Sequence, residues 1–84
     1  MNQTVNYDNK KYNILKILHT RFSKVQSQQK QKEIINKLFV SKRTFISWLY
    51  MPKNKQTEIR YSYLKKMADI LDVSVDELIN YEIW

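Results

Sequence analysis

Four residues in the stretch VSKRTFISWLYMP carry hydrogen-bond donors at a spacing suited to recognition chemistry: Lys42, Arg43, Thr44 and Ser47. At 100° per residue, Arg43, Ile46, Ser47 and Tyr50 share one side of a helix, and Lys42 and Thr44 flank it near the start. Phe45, Trp48 and Leu49 cluster with Ser41 on the other side. A guanidinium can bond guanine with two parallel donors, and the methyl groups of Thr44 and Ile46 can meet a thymine methyl. The ammonium and hydroxyl groups can also bond phosphates. Cations in a first turn oppose the helix macrodipole, where a helix with a purely structural duty favours Asp or Glu. The plain alternative is a basic surface helix in a chain that carries 15 Lys and Arg against 8 Asp and Glu, for a net charge of +7.

Catalytic chemistry has little to work with. The single histidine, His19, lies beside an apolar stripe and reads as a packed or half-exposed side chain. There is no Cys and no Gly, so no thiolate site, Cys/His metal cluster or Gly-rich phosphate loop can form. The C-terminal carboxylates sit where a capping box and a helix end account for them. Neither an enzyme nor a cofactor or metal is expected. No apolar run approaches the ~20 residues of a membrane-spanning helix. No signal-peptide pattern opens the chain either, so a cytoplasmic, nucleoid-associated protein is expected.

These donors need a scaffold, and 84 residues allow one small domain. Hairpin signals are missing and apolar residues recur at three and four, so the fold class is all-α. Residues 1–9 read as a mobile arm and residues 10–84 as the domain. Helix 1 is expected over 10–25, with Tyr12, Leu15, Leu18, Phe22 and Val25 inward. Ser27 is the candidate cap for helix 2, which reads KQKEIINKLF and faces Ile34, Ile35 and Leu38 inward. Ser41 caps helix 3, about 42–51, and Val40 with Phe45 forms a hydrophobic staple. A polar, basic loop over 52–59 is expected to order on binding. Helix 4 runs 60–71 with Leu64, Met67, Ala68 and Leu71 inward. Helix 5 runs 75–81, started by the box of Ser74 and Glu77 and the staple of Val73 and Leu78.

The charge is divided along the chain. Residues 1–66 hold all 15 cations and only Asp8, Glu33 and Glu58, a balance of +12. Residues 67–84 hold Asp69, Asp72, Asp76, Glu77 and Glu82 and no cation, a balance of −5. A dipole of this kind can present one end to a polyanion, or it can serve solubility alone.

The stretch QKEIINKLFVSKRTFISW, Gln31 to Trp48, resembles the helix-turn-helix of the phage Cro and repressor family, also called XRE-type regulators. LKKMADILDVSVDELIN, Leu64 to Asn80, resembles the fourth and fifth helices of that family more specifically. The resemblance implies a compact five-helix lambda-repressor-like domain that binds operator DNA as a homodimer. It places Lys42, Arg43, Thr44 and Ser47 at base-reading positions, and Trp48 in the core. It places Gln31 at the front of helix 2, on the phosphate backbone, and Lys53 and Lys55 in a loop that holds phosphates; Lys30 and Arg60 are further candidate phosphate contacts. The chain departs from the family pattern where Ile35 replaces a small residue and Phe39 replaces glycine. Leu49-Tyr50-Met51-Pro52 stands where an acidic residue and glycine usually follow the tryptophan, and the loop after it is longer. Leu49, Tyr50 and Met51 are therefore candidate dimer contacts, together with the apolar tail residues Tyr81, Ile83 and Trp84.

The expected function is a sequence-specific DNA-binding transcriptional regulator, a repressor, of a phage or other mobile element. The alternative is a protein-binding module on the same scaffold, such as an inhibitor of a host nucleic-acid-binding defence protein. Leu49, Tyr50 and Met51 would then form its exposed contact patch.

Overall fold

A computed structural model describes residues 7–80. Five helices follow one another: α1 (Ile14–Thr20), α2 (Lys24–Leu38), α3 (Lys42–Leu49), α4 (Tyr61–Leu71) and α5 (Val75–Leu78). The described residues form no strand, only two isolated antiparallel bridges, Lys10 with Pro52 and Tyr12 with Ile79. The fold is all-α, and no helix among these residues is long and apolar enough to cross a membrane.

The first difference from expectation is at the N-terminal side. Lys10 to Asn13 were expected within helix 1 but lie outside it, as a strip of bridges and bends that ends at Asn13 with φ −89° and ψ 15°. Their polar groups point sideways to two distant segments. The Lys11 N–H donates to the Met51 carbonyl at 2.8 Å, and the Lys11 carbonyl accepts from the Asn80 N–H at 3.0 Å. The Asn13 N–H donates to the Leu78 carbonyl at 2.7 Å. Helical backbone spends these groups along its own axis, so the pairing excludes a helix here. Tyr12 is buried as expected, but from this strip. Its phenol oxygen accepts from the Ile59 N–H at 3.0 Å. Residues 7–9, expected in a mobile arm, turn onto the domain. The Asn80 side-chain amide donates to the carbonyls of Tyr7 and Lys10 at 3.2 and 2.9 Å. Residues 1–6 of that arm lie outside the described residues.

The second difference is where helix 1 stops. Ser23 starts α2 with a full capping box: its hydroxyl accepts from the Gln26 N–H, and the Gln26 side chain accepts from the Ser23 N–H. The signal is the S-x-x-Q spacing. It ends α1 after seven residues and lengthens α2 to 15. Val25, expected on the helix 1 stripe, is consequently on α2 and 64% exposed. Ser27, expected as the cap, is instead buried inside α2, where its oxygen accepts from the Gln31 side chain at 3.3 Å.

Ile14, Leu15, Ile17 and Leu18 of α1 enter the core with Ile34 and Leu38 of α2 and Leu64, Met67, Ala68 and Leu71 of α4. Full burial of such a side chain is worth ~1.5–3 kcal/mol. α2 packs against α4 and α1, α1 also packs against α3, and α5 closes on α4. α4 ends at Asp72 in the left-handed region, φ 58° and ψ 48°. The Ser74 and Glu77 box then starts α5 as expected, though that helix ends at Leu78 and not 81.

This architecture perturbs the Glu77 carboxyl. Its bond from the Ser74 N–H, and secondly the Arg21 guanidinium 3.2 Å away, hold its carboxyl below the ordinary carboxylate range. A carboxyl that binds protons less readily folded than unfolded stabilises the fold above its unfolded pKa, and that contribution disappears as pH falls through the folded value. Glu77→Gln should therefore lower the melting temperature near neutral pH. The gap to wild type should narrow as thermal melts followed by circular dichroism are taken down to about pH 3, below the carboxylate range. A gap of constant size across that series would contradict the assignment.

Candidate nucleic-acid interface

α3 is aimed by a tight corner on one side and by the core on the other. α2 ends at Leu38, and Phe39 takes φ 55° and ψ 40°, the left-handed region. Its N–H and that of Val40 both return to the Ile35 carbonyl. The left-handed region costs a non-glycine residue ~1–2 kcal/mol. The turn geometry expected of a glycine is thus kept with Phe39 in place. The residue is 92% exposed, so no burial offsets that cost. Ser41 then caps α3 as expected, its hydroxyl accepting from the Thr44 N–H at 3.0 Å. Val40 packs partly buried against the core and Phe45 is fully buried, which agrees with the staple.

Phe45, Trp48 and Leu49 fix the inner side of α3. The Phe45 and Trp48 rings meet edge-on at 6.5 Å, and Trp48 meets Tyr63 of α4 at 5.5 Å. Ile46, expected outward, is half-buried against the core. Lys42, Arg43, Thr44 and Ser47 are all exposed, so the four expected donors share the open side of one helix. They differ in what they have left to give. The Ser41 hydroxyl donates to the Thr44 hydroxyl at 2.9 Å, and the Ser47 hydroxyl donates to the Thr44 carbonyl at 2.6 Å. Lys42 and Arg43 have no carboxylate partner among the described residues. Of the four, Ser47 alone has its donor committed within the helix; Thr44 accepts from Ser41 and keeps its own hydroxyl proton.

The expected phosphate set is only partly arranged as foreseen. Gln31 is not at the front of its helix. The Ser23 capping box starts α2 at Lys24, so Gln31 lies at mid-helix and its side-chain amide bonds Ser27. There it lines a shallow groove with Gln28, Lys32, Ile35 and Lys42, which brings it beside the first cation of α3. Lys30 is half-buried with its ammonium 5.8 Å from the centre of the Phe22 ring. Lys53, Lys55 and Arg60 are exposed on the segment between α3 and α4, and Arg60 stands at the N-cap of α4. No acidic residue occupies the first turn of α1, α2, α3 or α4, whereas α5 has Asp76 and Glu77 there.

The segment 52–59, expected to order on binding, is tied down in the structure. The Lys53 N–H donates to the Asn9 carbonyl and the Lys55 N–H to the Pro52 carbonyl, at 3.0 and 3.1 Å. Ile59 is buried. Beneath the segment lies Lys11, only 5% exposed, whose ammonium donates to the carbonyls of Lys55 and Thr57 at 2.8 and 3.0 Å. Nothing in the sequence marks Lys11, because its partners are 44 and 46 residues away.

The candidate dimer contacts divide. Leu49 and Met51 are 3% and 5% exposed, so both are core residues and neither can form a surface patch. The short helix explains this: α3 ends at Leu49, and the chain turns Met51 back under the Lys10–Asn13 strip. Tyr50 remains at the surface, 54% exposed, with the Lys10 ammonium 5.7 Å from its ring centre. Tyr81, Ile83 and Trp84 lie outside the described residues. His19 is exposed and hydrogen-bonded through Nδ1 to the Tyr7 hydroxyl at 2.9 Å. No three His, Asp or Glu side chains among the described residues are grouped to hold a metal.

Compared with protein-family models, curated proteins and solved structures, the chain matches none.

The corner makes a direct prediction. Phe39→Gly removes the steric penalty and loses no packing, so it should raise stability by ~1 kcal/mol, as read from the midpoint of urea unfolding. An unchanged or lower midpoint would mean that the Phe39 ring makes a stabilising contact in solution.

Proposed function

We propose that this protein is a sequence-specific DNA-binding regulator of the phage Cro and repressor type, a helix-turn-helix domain that reads the major groove with α3. The observation that carries this reading is the pair Lys42 and Arg43. Both are exposed and, among the described residues, without carboxylate partners, in the first turn of an eight-residue helix whose other side is locked by Phe45 and Trp48. A helix with only a structural duty gains nothing from uncompensated cations at its positive end, and a polyanion supplies the missing partner.

In this reading Arg43 supplies bidentate contact to a guanine and Lys42 a shorter-range contact to a base edge or phosphate. Ser47 contributes chiefly shape and Cβ contact, since its hydroxyl proton is held inside the helix, whereas Thr44 accepts from Ser41 and keeps its own hydroxyl proton and methyl group for a base or phosphate. Lys53, Lys55 and Arg60, with Lys30 and Gln31, set the domain on the phosphates and fix its register. The +12 balance of residues 1–66 draws it to the duplex. Two copies reading a palindrome follow from the resemblance, with Tyr50 and the tail residues Tyr81, Ile83 and Trp84 as the contact. Binding over a promoter makes such a regulator a repressor, and the resemblance suggests a phage or mobile element as its source.

A second reading has its own observation. Phe39 holds a large aromatic ring almost wholly in solvent at a backbone position that disfavours it. Strain retained with no internal return is a mark of function. An exposed aromatic flanked by Lys37, Lys42 and Arg43 suits an acidic protein surface with an apolar socket. The protein-binding module therefore keeps a contact residue, though not the Leu49-Tyr50-Met51 patch.

Selection of duplexes from a random pool, followed by affinity measurement, tests the first reading. Arg43→Ala should lose about 1–3 kcal/mol on the selected site and relax preference at one base position, whereas Lys53→Ala should weaken all duplexes and lower the salt slope by about 1. Failure to select any sequence, with no salt dependence, would remove the DNA reading. Phe39→Ser separates the second. It should leave duplex affinity within about twofold, since residues outside a contact contribute little, and should abolish capture of any protein partner from nuclease-treated lysate.

A further inference from the structure

We infer that Lys11 is a positioning residue for the phosphate-contacting segment 53–58, an inference that rests on the DNA-binding reading. Lys11 spends its main chain and its ammonium on holding other segments. Its N–H holds Met51, its carbonyl holds Asn80, and its ammonium holds the carbonyls of Lys55 and Thr57. The segment it supports has exposed side chains from Pro52 to Glu58 and contains no helix or strand. Such a segment has almost no apolar burial of its own to order it.

The three tethers are evenly placed along it. Met51 and Pro52 at its start pair with Lys11 and Lys10, the Lys11 ammonium grips its middle, and the Tyr12 hydroxyl takes the Ile59 N–H at its end. Adjacent residues of one strip thus hold the whole segment from below. A buried ammonium is an expensive choice for filling space, since an apolar side chain would fill it without desolvating a charge. What only a multi-donor cation can do is bond two carbonyls turned inward at once. Turning those carbonyls down leaves the Lys53 and Lys55 side chains outside, on one ordered segment. The ordering is then complete before phosphate arrives, so it is not charged against binding.

Lys11 itself does not touch the ligand in this scheme. Its test must separate it from a direct contact and from a simple fold defect. The full chain is titrated onto a 30-bp mixed-sequence DNA duplex over a salt series, as wild type, Lys11→Met, Lys53→Ala/Lys55→Ala and the triple variant. Trypsin cleavage within 53–58 is followed in parallel. Lys11→Met should keep the helical circular dichroism signal, expose the segment to trypsin, weaken binding about tenfold through lost preorganisation, and lower the salt slope by about 2, as two released lysines require. In the double-alanine background it should change affinity by less than about twofold, because the contacts it positions are already gone. Wild-type affinity, slope and cleavage rate in a folded Lys11→Met would overturn the inference, and so would a full additive loss in the double-alanine background. If Lys11→Met does not fold, Tyr12→Phe removes only the oxygen that holds Ile59, and the same faster cleavage and weaker binding are expected. Unchanged values there would again overturn the inference. If wild type binds no duplex at any salt, the DNA reading fails separately. Cleavage then decides: protection lost in Lys11→Met supports the positioning role, and protection kept ends it.

Discussion

Between Lys10 and Asn13 the backbone gives its polar groups to two segments that are remote in sequence, and the rest of the molecule is arranged around that exchange. Buried N–H and C=O groups must be bonded, and here the bonding is lateral. One edge of the strip takes Met51 and Pro52 at the exit of α3, and the other takes Leu78 to Asn80 at the exit of α5. Both helix exits are thereby fixed relative to each other and to α1, which begins at once after Asn13. Tyr12 and Lys11 make the strip more than a connector, since their side chains reach on to Ile59, Lys55 and Thr57. A four-residue strip so becomes the common support of the outer ends of the bundle.

The placement of α3 shows how local cost and global order are balanced. Phe39 pays for a left-handed turn, and the return is a three-residue connection that delivers Ser41 as cap. Cap, staple and the Phe45–Trp48 contact then over-determine the helix, so that cations at its positive end are tolerated. Charge elsewhere obeys the ordinary rule. The one helix with acids in its first turn is α5, and its Glu77 is bonded both to the Ser74 N–H and to Arg21. α1, α2 and α4 also start without acids, so among the described residues α5 is the helix whose positive end is matched by its own carboxylates.

Features set by neighbours in sequence were legible. Ser41, Ser74 with Glu77, the inward set of α4 and the inner side of α3 all follow from caps and periodicity, and each is where local rules place it. The open side of α3 was legible for the same reason, since it is what remains once Phe45, Trp48 and Leu49 are assigned. Ser27 was the expected start of α2, but the cap is Ser23, four residues earlier. The glutamine three residues after Ser23 completes its box, which moves Gln31 from the expected helix front to a helix middle. The strip was not legible. Tyr12, Leu15 and Leu18 fit a helical stripe whether or not the helix reaches Tyr12, and only the distant partners Met51, Leu78 and Asn80 settle it. Lys11 was hidden equally, because a lysine beside another lysine reads as a solvated pair until two carbonyls from another segment are brought to it.

The departure at Leu49-Tyr50-Met51-Pro52 now has a physical account. A helix that ends without glycine needs another way to satisfy its last carbonyls and redirect the chain. Here α3 stops at Leu49, Tyr50 returns its N–H to Trp48, and Met51 gives its carbonyl to the Lys11 N–H. Pro52 has no N–H to lose and sits at the edge of the strip, where a proline is allowed. Leu49 and Met51 are consequently drawn into the core, and apolar residues that looked available to a partner serve the chain's own interior. What the surface keeps is Tyr50 with the Lys10 ammonium over its ring. The paired strip also explains why the following segment can be long: it is not a free loop between two helices but a span held along its length. A chain that lacks glycine altogether redirects itself here by backbone pairing, and the exposed Lys53 and Lys55 lie on the span so held.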